Sequence, residues 1–377
     1  MKDENGTNPL RILFFIGSLA SGGAERVTVA LSRYLVRRGD SVSIVTTHVA
    51  ERDFYTLPDG VDRVSLGLAG ETRGIRKLTA NLTRLRALRA ALKQEQADVV
   101  IGMMTSSAVL CILAAWGLRT RVVASERNYP GRKPCARPWA FLRRVFYRFA
   151  DAHVAQTREA ADWLRTRTGA RAIHIIPNSV EWPIPDCPPA IAPETLLDES
   201  QRLVLAVGTK PHQKGFDLLL DAFAGVADTN PAWRLAILGV PSSSDEGVVL
   251  LERARELRIE QQVMLPGRVG NVSDWYQRAD LFVLSSRYEG FPNVLLEAMA
   301  AGCASVAFDC DTGPRDIIEQ DVNGVLVPTE DVVALKEKLG ELMSGENQRE
   351  RLAASAVRVR ERFSEERVMG GWTKVLE

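Results

Sequence analysis

Histidine and cysteine are scarce in this sequence, with four and five residues among 377. The thiols (Cys111, Cys135, Cys187, Cys303, Cys310) are odd in number, form no CxxC pair and share no metal-like spacing with the histidines. That argues against a disulfide framework and a Cys/His metal centre, and reduced thiols are expected. No apolar run reaches the roughly 20 residues of a membrane-spanning helix. The opening MKDENGTNPL is polar and acidic, which is wrong for a secretory signal. No GxGxxG follows a strand with an acidic residue about 20 positions on, which disfavours a nicotinamide-dependent oxidoreductase. No nucleic-acid motif is present either, so nucleic acid is not an expected partner.

Hydrophobic residues make up 46% and charged residues 25%, values of a soluble globular chain. Its length exceeds one ordinary core, so two domains of roughly 150 to 200 residues are expected. A net charge of +1 conceals a division: residues 1–180 carry 28 Lys+Arg against 15 Asp+Glu, and residues 181–377 carry 20 against 32. Two blocks, residues 73–93 and 127–148, hold much of the positive charge. In the second, Arg132, Lys133, Arg137, Arg143, Arg144 and Arg148 alternate with Trp139, Phe141, Phe146 and Tyr147. Basic residues beside an aromatic face suit an anionic membrane surface or a phosphate-bearing lipid. A solvated basic helix with a buried aromatic stripe is the plainer alternative.

Residues 11–16 read as a buried strand, followed by a glycine loop (17–25, GSLASGGAE) and a helix over 26–37. Further strands are expected at 41–46, 61–66, 98–102, 122–124 and 151–156, with a helix over 78–92. Six prolines between 177 and 193 mark a crossover. A second series follows: strands at 203–207, 233–238, 263–265, 281–284 and 304–308, helices over 216–226, 248–257, 271–278 and 294–301, and one after Pro314. Such alternation predicts an α/β chain of two doubly wound, Rossmann-like domains, residues 1–180 and 201–360, joined by the proline-rich 181–200. Ligands are expected outside the carboxyl ends of the strands, in a cleft between the domains.

The most informative stretch is SSRYEGFPNVLLEAMAAG at 285–302, which places Glu289 on a loop and Glu297 in the helix that follows. A helix entered through Gly290, Phe291 and Pro292, with Asn293 and Val294 in its first turn, offers backbone amides and a positive dipole end to a diphosphate. Two carboxylates beside an anion site make sense as acceptors for sugar hydroxyls flanking that diphosphate. Either glutamate alone reads as an ordinary surface acid. Lys214, in GTKPHQKGF after a strand, supplies a cation for the leaving group, with Lys210 beside it. Arg315 or the Thr312-Gly313 backbone of DTGPRD reaches the same place, or forms an exposed turn.

Together these marks resemble the retaining, GT-B fold glycosyltransferases of the GT4 group over nearly the whole chain. They are Gly22-Gly23-Ala24-Glu25, Ile176-Pro177-Asn178, Lys214-Gly215 after Gly208, Gly267, Glu289 with Glu297, Asn323-Gly324 and Leu326-Val327-Pro328. The 285–302 region with the SERN (125–128) and TGPRD segments looks like the branch that builds bacterial surface or lipid-linked oligosaccharides. The resemblance implies that Glu289 contacts the donor hexose, Glu297 the ribose and Lys214 the diphosphate, that Gly267, Arg268 and Val269 cradle the base, and that the Gly22-Gly23 loop closes on the donor. Met104, Glu126 and Arg127 are the acceptor-side candidates, and residues 361–377 form a last helix returning to the N-terminal domain. It further implies a nucleotide-sugar donor with UDP-sugar expected, a lipid-linked glycan acceptor, no cofactor or metal, and a cytoplasmic protein attached peripherally to the membrane. Two departures stand out. Thr209 occupies a position where many relatives carry arginine, and Met103-Met104-Thr105 fills a loop where many carry histidine. Rival readings are a nucleotide-sugar epimerase on the same scaffold and an inactive sugar-nucleotide-binding partner of another transferase.

Overall fold

The computed structural model describes residues 9–20, 22–69, 76–132 and 135–377. The polar N-terminus read against a secretory signal (residues 1–8), the beginning of the first basic block (73–75) and Lys133 of the second lie outside the described residues. The chain divides into two compact units, Met1–Asn178 with Val368–Glu377, and Ser179–Arg367. The prolines of 181–200 therefore pack with the second unit. Ile184 N–H donates to Ser273 Oγ at 3.0 Å, and the Trp275 indole N–H donates to Ile191 O at 2.8 Å.

In unit 1 the chain runs through β1 (Arg11–Ile16), α1 (Gly23–Arg38), β2 (Ser41–Thr46), β3 (Val61–Ser65), α2 (Arg76–Gln94), β4 (Val99–Met103), α3 (Thr105–Ala115), β5 (Arg121–Ser125), α4 (Arg137–Phe146), β6 (Ala152–Ala155), α5 (Arg158–Thr168) and β7 (Ile173–Ile175). Its seven strands lie in the order β3-β2-β1-β4-β5-β6-β7, and every ladder is parallel. Alternation along β1 serves both faces of the sheet. Leu13 and Phe15 pack with α2 and α3, while Ile12, Phe14 and Ile16 pack on the opposite face with α1. That is why RILFFI carries no polar residue after Arg11. Thr157 accepts from Ala160 N–H at 3.2 Å and so fixes the start of α5.

In unit 2 come β8 (Arg202–Val207), α6 (Pro211–Lys214), α7 (Phe216–Ala227), β9 (Trp233–Leu238), α8 (Asp245–Glu256), β10 (Val263–Gly267), α9 (Val272–Arg278), β11 (Leu281–Leu284), α10 (Asn293–Ala301), β12 (Ser305–Phe308), α11 (Pro314–Ile317), β13 (Val325–Val327), α12 (Val332–Ser344), α13 (Glu346–Ala356), α14 (Val359–Arg362) and the beginning of α15 (Glu365–Leu376). Its six parallel strands are ordered β10-β9-β8-β11-β12-β13. Leu203 and Leu205 face one layer of helices, and Val204 and Ala206 face the other. From α15, Val368, Met369, Trp372, Val375 and Leu376 are buried in the unit 1 core that contains β1 and Ile176.

Among the described residues, no helix is long and apolar enough to cross a membrane. The aromatic stripe of the second basic block, for which a membrane-facing and a buried reading were both open, is divided. Tyr147 is fully buried and Trp139 and Phe146 are partly so, whereas Phe141 is 65% exposed.

Candidate active site

Strand order in unit 2 reverses between β8 and β11, which are hydrogen-bonded neighbours. The connections leaving their carboxyl ends must diverge to opposite faces, and this switch point is where a doubly wound sheet opens for a ligand. Lys214 follows β8 and Glu289 follows β11, so topology alone brings them together. Lys214 Nζ donates to Glu289 Oε1 at 2.7 Å, and Ser286 Oγ donates to the same oxygen at 2.6 Å.

Small residues permit this approach. A Cβ on Gly208 would stand 2.6 Å from Lys214 Cγ, so a glycine there lets the lysine stem lie over the strand end. Gly215, with φ 61°, ends α6 in a turn, and a Cβ there would meet Ser285 O at 2.0 Å. Ser285 Oγ in turn donates to Lys214 O at 2.8 Å. Arg287 then locks the two loops: it donates to Asp217 Oδ1 and Oδ2 at 2.8 and 2.6 Å and to His212 O at 2.7 Å. Burial would raise the Asp217 pKa, but the hydrogen bonds and charge of Arg287 outweigh it and hold the carboxyl below its ordinary value.

On its other side the Glu289 loop is braced by the segment after β12. Glu289 N–H donates to Asp311 O at 3.0 Å, and Thr312 Oγ1 donates to Gly290 O at 2.9 Å. Gly313, with φ 99°, sits where a Cβ would come 2.6 Å from Pro292 Cδ. Of the alternatives for this turn, Thr312 and Gly313 meet the loop, while Arg315 pairs with Asp309 at 2.8 Å. Burial, with the nearby Glu289 charge, pushes the Cys310 thiol up and leaves it a poor nucleophile.

Phe291 is buried against Phe363, ring centres 5.6 Å apart, and Pro292 precedes α10 without a side-chain cap. Asn293 and Val294 form its first turn, at the positive end of the helix dipole. Glu297 is only 5% exposed, although its position in α10 reads equally well as surface, and it accepts from the Tyr276 hydroxyl at 3.1 Å. Lys210 is exposed at the start of α6. Gly267 ends β10 with φ 81°, Arg268 after it is exposed, and Val269 packs partly into the core.

Unit 1 has its own switch point between β1 and β4. Gly22 caps α1 after β1, and Gly23 is the first residue of that helix. Met104, with φ 75° and ψ 160°, leads from β4 into α3, and Glu126 follows β5. Glu126 is buried and accepts from Thr105 Oγ1 at 2.8 Å and from the Tyr147 hydroxyl, with Arg143 Nη1 3.7 Å away. Burial raises the Glu126 pKa against the pull of Arg143, Tyr147 and Thr105. Met104 and Glu126 line one cavity of about 150 Å³ together with Thr105, Ser106, Trp139 and Arg143.

Arg127 does not join them: its side chain turns to Asn178, away from the cavity, and burial lowers its pKa to about 9. Ser286, Tyr276 and Arg287 complete the unit 2 cluster without having been named as site residues in the sequence, and Thr105, Arg143 and Tyr147, named there in other connections, join Glu126. Ser286 and Arg287, three and two residues before Glu289 in the same loop, had a readable signal.

The family profile described as "Glycosyl transferases group 1" matches residues 189–359, and "Glycosyltransferase Family 4" matches residues 21–181. Among characterised sequences, the chain is 30% identical to a Campylobacter jejuni protein, covering 97% of this chain and 98% of that one. That protein is the GalNAc-alpha-(1->4)-GalNAc-alpha-(1->3)-diNAcBac-PP-undecaprenol alpha-1,4-N-acetyl-D-galactosaminyltransferase. A sucrose-phosphate synthase from Thermosynechococcus elongatus superposes with a TM-score of 0.82 at 18% identity, over 97% of each chain. Anabaena HepE, in complex with UDP and glucose, superposes with a TM-score of 0.78 at 18% identity, over 97% of this chain and 99% of that one.

Proposed function

Because the chain belongs to the GT4 group of glycosyltransferases and has their GT-B fold, we propose that it is a retaining enzyme that moves a hexose or N-acetylhexosamine from a UDP-sugar to a hydroxyl of a lipid-linked glycan. The observation that carries this reading is the Lys214–Glu289–Ser286 cluster beside the start of α10, at the switch point of unit 2. Glu289 has one oxygen held by Lys214 and Ser286, which directs the other to a donor sugar hydroxyl. Lys214 and the amides of the 290–294 turn meet the charge that builds on the diphosphate as the C1–O bond breaks. The departing phosphate oxygen takes the acceptor proton on the same face of the sugar, which keeps the anomeric configuration. Glu297, fixed by Tyr276, receives the ribose hydroxyls, and Gly267 to Val269 stand beside the base.

No metal enters this scheme, so turnover should persist in EDTA. The lipid-linked acceptor is supported by the Campylobacter relative, whose name specifies an undecaprenyl-diphosphate glycan. A peripheral membrane contact is supported by the exposed Trp116, Phe141 and Phe149 near the basic α4. The test is transfer from UDP-sugars to a lipid-linked acceptor, with the new linkage read by proton NMR. An inverted anomer overturns the retaining scheme, and transfer only from another nucleotide overturns the donor.

A further inference from the structure

Two exposed helix faces, one in each unit, carry charged and apolar side chains at the same spacing and with opposite signs. In unit 1, α4 and the 3₁₀ turn that continues it (Tyr147–Phe149) expose Arg137, Phe141, Arg144 and Arg148. In unit 2, α8 turns Leu250 and Ala254 to the core and exposes Asp245, Val249, Glu252 and Glu256. Both sets stand at positions i, i+4, i+7 and i+11, on one helix face and about 6, 10 and 16 Å from the first residue. The order in each is charge, apolar, charge, charge. Phe141 is 65% and Val249 62% exposed, and Val248 beside Val249 is exposed as well. Local structure uses neither face. Among the described residues, Arg137, Arg144 and Arg148 make no side-chain hydrogen bond or ion pair, and neither do Asp245 and Glu252. Glu256 alone is paired, with Arg253 at 2.8 Å on the open surface. Arg137 opens α4, where the helix dipole disfavours a cation, and Glu252 lies beyond the first turn of α8, out of reach of its positive end.

An anionic membrane suits α4 but repels α8, so it accounts for one face only. We propose that α8 of one copy of this chain docks on α4 of a second copy, parallel and in register. Phe141 then meets Val248 and Val249, and Arg137, Arg144 and Arg148 meet Asp245, Glu252 and Glu256. An antiparallel pairing fails, because it sets Phe141 against Glu252 and Arg144 against Val249. The excess of Lys+Arg in residues 1–180 (28 against 15) and of Asp+Glu in residues 181–377 (32 against 20) steers unlike ends together. Because the two faces differ, the contact is head-to-tail and leaves one free α4 and one free α8, from which a ring or a longer chain grows. Exposed ion pairs are weak singly and screened by salt, so the association is dynamic and salt-sensitive. A vesicle and a second copy compete for α4. Self-docking requires nothing of the reaction proposed above.

Analytical ultracentrifugation of the full chain over a concentration series, at low and at high salt, tests this. The wild type should associate as concentration rises at low salt, and at least tenfold more weakly at about 1 M salt, where the screening length falls to about 3 Å. Arg144→Glu and Glu252→Arg should each weaken association at least tenfold. An equal mixture of the two should recover most of it, because every contact between unlike variants is then either intact or charge-swapped, whereas every contact between like variants sets equal charges together. Melting curves establish that the variants fold, and Val249→Ser, on the apolar seam, serves if a charge reversal does not. A wild type that stays monomeric up to about 1 mM, association that survives Glu252→Arg, or a mixture no better than either variant overturns the docking. A chain that is monomeric at every concentration yet floats with phosphatidylglycerol vesicles through Arg144 assigns α4 to the membrane alone and overturns it too.

Discussion

Replacing Lys214 by Ala perturbs two things that the structure allows to be separated. The lysine is 14% and Glu289 8% exposed at the side chain, with 2.7 Å between their charged atoms. Removing one member of a buried ion pair costs about 3–5 kcal/mol, and partial exposure places this pair at the low end, about 3 kcal/mol. For a unit of this size that lowers Tm by roughly 6–12 °C. If Lys214 also stabilises the leaving diphosphate, turnover falls by about 10²-fold or more, equivalent to ~2.7 kcal/mol in the transition state. Turnover is measured as UDP release well below the variant's Tm, so that instability does not enter. A double-mutant cycle then separates the roles. Were Lys214 only a counter-charge for Glu289, Lys214→Ala would cost nothing further in a Glu289→Gln background. The proposed contact with diphosphate predicts a second loss of about 10²-fold and weaker UDP binding in that background. A folded Lys214→Ala enzyme within threefold of wild type, or a double variant no slower than Glu289→Gln, refutes the reasoning.

Arg287→Ala should reduce stability by about 1 kcal/mol, discounted for the exposure of Asp217, and should lower kcat through the loosened Lys214 and Glu289 loops, with Arg287→Lys recovering part of it. The Asp217 pKa is lowered from 3.8, so its contribution is present above that value and lost as pH falls through the folded-state value; Asp217→Asn should flatten this part of an acid melting series. Glu126 behaves oppositely. Its pKa is raised from 4.5, so the folded protein holds the proton more tightly and stability falls as pH rises through the folded-state value. Glu126→Gln should therefore gain in Tm relative to wild type from pH 4.5 upward, and a constant difference would contradict this. Trp372→Ala, which empties a fully buried site in the unit 1 core, should cost about 3–5 kcal/mol by denaturant melting. Phe141→Ser should reduce flotation with anionic vesicles, and unchanged flotation removes that residue from any membrane contact.

Strands were legible where burial on both faces left them rich in apolar and β-branched residues between turn signals. RILFFI, SVSIVT, WRLAIL and LFVL were read with the bounds they have. β7 (IHI) and β13 (VLV) are three residues long and lie among polar or proline-flanked sequence, too short for a period to show. α3 escaped for the opposite reason: TSSAVLCILAA is buried nearly all round and has no polar face to reveal a helical repeat. In the site, Glu289 and Lys214 could be paired because both end strands, and strand ends converge at a switch point. Arg143 and Tyr147 could not be joined to Glu126 from sequence, because the join depends on how α4 lies against α3 and β5. Arg127, adjacent to Glu126, faces the other way because neighbouring residues leaving a strand alternate.

The central claim is that Glu297 and the 289–294 turn hold a nucleotide sugar. Calorimetric titration of UDP-, GDP- and ADP-sugars into the full chain, with EDTA present, tests it most directly. The account predicts selective binding of a UDP-sugar, weakened at least tenfold in a folded Glu297→Ala variant. No binding by any nucleotide sugar, or binding indifferent to Glu297, contradicts it.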